Sequence, residues 1–124
     1  MNTSKKWTLL FIKDSDSKFD SNTKMLDTLF SKVDVAQTRN EALTLFDTNQ
    51  YDIVLSDLSE DPKEVAFLKQ LKGKKSRQTI FALIAPKDSN KLFGIADLGI
   101  NAFELRPAQF EQALEAIANF NPYQ

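Results

Sequence analysis

Asp14, Asp57 and Arg106 are the residues in this chain whose types and spacing best suit a shared chemistry. Asp57 closes the most strand-like run, Tyr51-Asp52-Ile53-Val54-Leu55-Ser56, just before a polar loop. Asp14 directly follows the apolar run Trp7–Ile12, and Arg106 follows Ala102–Leu105. If the three runs are parallel strands of one sheet, all three residues emerge at its carboxyl edge, where ligands gather in open α/β folds. Two carboxylates and a cation on one such surface suit phosphoryl chemistry. The carboxylates can hold Mg²⁺, a hard cation that takes oxygen ligands and keeps several waters. The cation can pair with a phosphoryl oxygen.

The elements that must position these residues are legible as alternating runs. Trp7–Ile12, Ile53–Ser56 and Ile80–Ala85 are short, continuous and apolar, as strands buried on both faces are. Val33–Gln37 and Ala102–Leu105 are weaker and are expected nearer the edges. Between them lie segments of helical period. Phe19, Leu26, Leu29, Phe30 and Val33 mark one apolar face; Ala42, Leu43 and Phe46 a second; Phe67, Leu68 and Leu71 a third. A fourth helix is expected over about Ser89–Leu98, and Phe110, Ala113, Leu114 and Ile117 mark a fifth. Thr38 with Glu41 and Asp61 with Glu64 have capping-box spacing, and Pro62 suits a first helical position. Gly73 and Gly99 stand where the third and fourth helices should stop. Strict alternation of strand and helix predicts a parallel sheet with helices on both faces. Five strands favour the flavodoxin-like order 2-1-3-4-5, in a single α/β domain spanning residues 1–124.

Composition narrows the chemistry further. The 124 residues suffice for one buried core, and 42% hydrophobic with 27% charged residues is ordinary for a globular chain. A net charge of −1 gives no reason to expect nucleic acid or an anionic membrane as partner. With no cysteine and no histidine, disulfides, thiol catalysis, the usual zinc sites and every His-based triad are excluded. Met1–Lys6 is polar, and the six apolar residues after it are too few for a signal sequence or a membrane span. A cytoplasmic location is the expectation. A flavin or nucleotide site lacks support, because Lys13-Asp14-Ser15-Asp16 is not a Gly- or Ser/Thr-rich phosphate loop.

Three segments, in order, carry a resemblance: Leu9-Leu10-Phe11-Ile12-Lys13-Asp14, Asp52-Ile53-Val54-Leu55-Ser56-Asp57-Leu58, and Gly99-Ile100-Asn101-Ala102-Phe103-Glu104-Leu105-Arg106-Pro107. Over about Lys6 to Phe120 the chain resembles the receiver domain of bacterial two-component response regulators. The resemblance implies that Asp57 is the phosphoacceptor, charged by a histidine kinase or phosphotransfer protein. It implies Mg²⁺ held by Asp14, Asp57 and the Ser59 backbone carbonyl. It aligns the responding hydroxyl with Ile84 or Ala85, the lysine before a proline with Arg106, and the aromatic switch with Phe103. Pro107 follows a bond that is often cis in that family. A protein partner is implied on the face of the fourth helix, fifth strand and fifth helix; Leu92, Phe93, Phe103 and Phe110 there read mostly as core, and any exposed aromatic surface among them would mark the interface. Such a domain is a switch rather than an enzyme, catalysing at most its own phosphorylation and dephosphorylation. No output domain fits within this length.

The site departs from that pattern at several positions. Lys13 stands where the first acid is expected, which weakens Mg²⁺ binding and puts a cation near Asp57 and Asp14. Neither Ile84 nor Ala85 can donate a hydrogen bond, and Arg106 presents a planar fork in place of a compact ammonium. The alternative is therefore a pseudo-receiver, an interaction module held in one state by Lys13 or Arg106 paired with Asp57. Bland readings also exist: Lys13 can extend to solvent, and Ile84 or Ala85 can extend the core strand. Ser15 and Asp16 suit a turn or helix cap. The basic run Lys72, Lys74, Lys75 and Arg77 reads as a solvated loop around Gly73.

Overall fold

The computed structural model describes residues 7–13, 24–57, 64–84, 94–95, 98–104, 109–120 and 122, with backbone only at Lys24, Met25, Glu64, Phe103 and Glu104. The strands are β1 (Thr8–Lys13), β2 (Lys32–Ala36), β3 (Ile53–Asp57), β4 (Thr79–Ile84) and β5 (Asn101–Glu104). The helices are α1 (Lys24–Leu29), α2 (Arg39–Thr48), α3 (Glu64–Lys74) and α4 (Phe110–Ala118). All strand pairs are parallel, in the order β2-β1-β3-β4-β5. The expected α/β fold and strand order are those observed.

The continuous apolar runs are explained by two cores, one on each face of the sheet. Leu9 and Phe11 of β1, Ile53 and Leu55 of β3, and Phe81 and Leu83 of β4 pack with Leu26, Phe30, Phe110, Leu114 and Ile117. Their alternating neighbours Leu10, Ile12, Val54, Ile80, Ala82 and Ile84 pack with Phe46, Phe67, Leu68 and Leu71. Since successive strand residues point to opposite faces, burying both faces requires apolar residues throughout. The edge strand β2 differs: it leaves Val35 exposed, but carries Lys32 and Asp34, charges of the kind that discourage edge-to-edge association.

Several boundaries differ from expectation by one residue, and the ladder explains them. Pairing runs from Thr8 through Lys13 and from Ile53 through Asp57, so Asp57 belongs to its strand. β4 and β5 likewise start one residue early, at Thr79 and Asn101, and β2 spans Lys32–Ala36. Val33, expected on the first helical face, lies in β2. The helix ends at Leu29; Phe30 N–H bonds to Leu26 O (3.0 Å) and Ser31 N–H to Trp7 O (2.9 Å), which turns the chain directly into β2. Gly73 does not stop α3, which continues to Lys74. Gly99 has the left-handed φ, 76°, that helix stops use, and Leu98 N–H closes a turn to Ile95 O (3.1 Å). Of the expected fourth helix only Gly94 and Ile95 are described as helical.

Thr38 caps α2, accepting from Glu41 N–H at 3.0 Å. The reciprocal arm falls one residue earlier than in a standard capping box, with the Glu41 carboxylate accepting from Gln37 N–H at 2.7 Å. The Asp61–Glu64 box and Pro62 lie outside the described residues.

Candidate functional site at the carboxyl edge of the sheet

In the order β2-β1-β3, the chain leaves β1 toward one edge and, from β3 onward, builds toward the other. The boundary between β1 and β3 is the switch point of the sheet, where open α/β folds form a crevice. The last ladder pair at that boundary is Lys13 opposite Asp57. Adjacent strands lie about 4.8 Å apart, and register partners in a parallel pair project to the same face. By alternation after Leu9 and Phe11, and after Ile53 and Leu55, that face is the one covered by α1 and α4.

Asp57 is 2% exposed. A carboxylate withdrawn from water to this degree needs compensating charge or hydrogen bonds, and neither Asp57 nor Lys13 is without an interaction partner. Lys13 is itself partly buried. The local sequence accounts for this placement. The apolar run brings the β3 backbone through the middle of the sheet, and the first charged residue after it is held where the ladder ends.

Ile84, the last residue of β4, is fully buried and belongs to the core beneath α2 and α3, the face opposite that of Asp57 by alternation. Its apolar character thus serves packing. The Phe103 backbone lies in β5 opposite Leu83. Asp14, Ser59, Ala85, Arg106 and Pro107 lie outside the described residues, as do Leu92 and Phe93. Phe110 is core: it is buried, with its ring 6.3 Å from that of Phe11.

The Mg²⁺ that the resemblance implies can be tested against the described residues. At the β1–β3 boundary they supply one carboxylate, Asp57, and on its register partner an ammonium. An ammonium repels a divalent cation and competes for the same oxygens, so this part of the site does not fit the metal. Among the described residues no group of three or more acidic, histidine or cysteine side chains could hold a metal ion.

The opposite, amino edge of the sheet carries polar structure that nothing local in the sequence announces. The Asp52 carboxylate accepts from Thr8 N–H (2.8 Å) and Thr8 Oγ1 (3.1 Å), and Thr8 Oγ1 accepts from Asp52 N–H (2.9 Å). Tyr51 Oη donates to Asp34 Oδ2 (2.5 Å); burial, followed by the Asp34 hydrogen bond and charge, pushes the phenol well above its usual range. Buried Gln78 Nε2 donates to Tyr51 O (3.1 Å) and Thr79 O (3.2 Å). Thr8, Tyr51, Asp52, Gln78 and Thr79 line a cleft of about 780 Å³. Three lysines near that edge are engaged in structure. Lys72 Nζ donates to Ser76 O and Gln78 O, Lys74 pairs with Asp47, and Lys75 donates to Phe46 O and Asn49 O. The basic run is therefore largely a set of staples between α2 and the α3–β4 turn.

No protein-family model matches the chain, and no curated protein matches it. Solved structures do. The non-phosphorylated HemR receiver domain from Leptospira biflexa aligns with a TM-score of 0.73 at 21% identity, covering 93% of this chain and 96% of that one. The chemotaxis response regulator CheY4 of Vibrio cholerae aligns at 0.69 and 18% identity, covering 89% and 97%. The beryllofluoride-activated DrrB receiver domain aligns at 0.70 and 16% identity, covering 90% and 93%. At these identities the likeness establishes the fold: the chain has the architecture of response regulator receiver domains along nearly its full length. Among the described residues no helix is long and apolar enough to cross a membrane.

Proposed function

We propose that the chain is a two-component signalling receiver in which Asp57 accepts a phosphoryl group from a histidine kinase or phosphotransfer protein. The observation that carries this reading is the buried Asp57 carboxylate as the last residue of β3, at the β1–β3 switch point. Modification there alters the charge of a buried position and biases two packings of the neighbouring elements, the way such switches work. The face around Phe103, formed by the segment near Gly94–Ile95 with β5 and α4, is the readout surface for a protein partner. Arg106 and Asp14 complete the site in this reading; with Ile84 committed to the opposite core, Ala85 stands where a hydroxyl would respond. The chain acts in the cytoplasm and is a switch rather than an enzyme. Mg²⁺ assistance, with Asp14 and Ser59 as further ligands, has to overcome the Lys13 ammonium.

A second reading is favoured by the same Lys13–Asp57 register: a pseudo-receiver that binds partners in one fixed state, Asp57 being neutralised by Lys13 or Arg106. Intact-mass analysis after incubation with acetyl phosphate and Mg²⁺ separates the two. The receiver reading expects one phosphoryl group on the protein and none on Asp57→Asn. A wild-type protein that gains no phosphoryl group under any donor, with or without metal, overturns it in favour of the fixed module.

A further inference from the structure

We infer that Lys13 takes the place of the divalent cation at Asp57, so that phosphoryl transfer from an acyl phosphate to Asp57 proceeds without metal. The inference rests on Asp57 being the phosphoacceptor. Lys13 and Asp57 are register partners on adjacent strands and share a face of the sheet. The four-carbon lysine stem easily spans an inter-strand gap of about 4.8 Å. Its ammonium has three donors and no acceptor, enough to hold the Asp57 carboxylate and an incoming phosphoryl oxygen together.

Burial makes that charge effective. Asp57 is 2% exposed, and charges placed before reaction in a poorly solvated site act more strongly than in water. The lysines of the basic run do not compete for this role. Lys72, Lys74 and Lys75 are committed to backbone carbonyls or to Asp47, away from the carboxyl edge. In the step itself, an Asp57 carboxylate oxygen attacks phosphorus and forms the new P–O bond. The P–O bond to the donor's acyl oxygen breaks, and a carboxylate leaves with the electron pair. No proton has to move, and Lys13 stays an ammonium throughout.

The test is the rate of phosphoryl incorporation from acetyl phosphate, read by intact mass, in EDTA and in Mg²⁺, for the wild type, Lys13→Met and Lys13→Asp. The wild type should react equally in both. Lys13→Met should lose about a hundredfold in EDTA, the scale of removing one oriented charge-stabilising donor. Lys13→Asp, which restores an acid, should react only with Mg²⁺. Wild-type incorporation that stops in EDTA overturns the inference and leaves Asp57 as a metal-assisted phosphoacceptor. A Lys13→Met rate in EDTA equal to that of the wild type also overturns it. No wild-type incorporation in either condition overturns the inference together with the receiver reading. The wild-type arms decide the matter even if a variant does not fold.

Discussion

The Lys75 ammonium sits 4.4 Å from the centroid of the Phe46 ring and donates to the Phe46 carbonyl at 2.7 Å. It also donates to Asn49 O at 3.0 Å, so a single cation closes the carboxyl end of α2, where the helix has unmatched carbonyls and partial negative charge. The turn that follows α3 is thereby fastened to α2. The stapling belongs to the amino edge of the sheet and leaves the Asp57 edge to its own charges.

Lys75 and its near neighbour Lys74 should therefore behave differently. Lys75→Met loses two hydrogen bonds to partly buried carbonyls and the contact over the ring, and should cost about 2 kcal/mol. Lys74→Met loses one exposed ion pair to Asp47 and should change stability by less than about 0.5 kcal/mol. Urea unfolding of the two variants gives the comparison, and equal losses would contradict it.

Gly73 and Gly99 should respond to alanine with opposite signs. Gly73 is in α3 without a left-handed φ, and a Cβ there meets nothing within 4 Å. Gly73→Ala should stabilise by about 0.5–1 kcal/mol through helix propensity and a less disordered unfolded state. Gly99, at φ 76°, has space for a Cβ but a backbone that L-residues adopt at a cost of about 1–2 kcal/mol. Thermal unfolding should rise for Gly73→Ala and fall for Gly99→Ala.

The Tyr51–Asp34 hydrogen bond should leave an alkaline signature. The folded phenol titrates higher than the unfolded one, so the unfolded chain loses its proton first as pH rises. The stability from Tyr51 is fully present below the unfolded value of about 10 and declines above it, towards the folded value. Tyr51→Phe lacks this titration. The stability difference between wild type and variant, measured by urea unfolding, should be constant at neutral pH and shrink above about pH 10. A difference independent of pH would exclude the coupling.

Much of the fold was legible because its strands are buried on both sides. Leu9–Ile12, Ile53–Leu55 and Ile80–Ile84 have to be apolar at every position, and that run length is visible without knowing what covers it. The three- and four-residue steps of Phe110, Ala113, Leu114 and Ile117 were equally plain because α4 lies with one face on the sheet. Val33 was ambiguous, since an apolar residue just past a short helix continues the helical spacing; only the Ser31–Trp7 bond shows the chain already turned. Gly73 misled for a related reason. A glycine near a helix end reads as a stop, whereas two further staples, Lys72 and Lys75, hold the end of α3 and the turn after it.

What the sequence determined by itself is the alternation of elements and the presence of one acid, Asp57, at the end of the central strand run. Both follow from local periodicity and from the cost of burying polar groups, which act on neighbouring residues. Tertiary structure alone decided that Asp57 is nearly inaccessible, that Lys13 is its ladder partner, and that Ile84 belongs to the other face. Register is a property of two strands far apart in the chain, fixed by how both sheet faces pack together. A one-residue slip would send every side chain of a strand to the opposite core, which is why packing holds Lys13 beside Asp57.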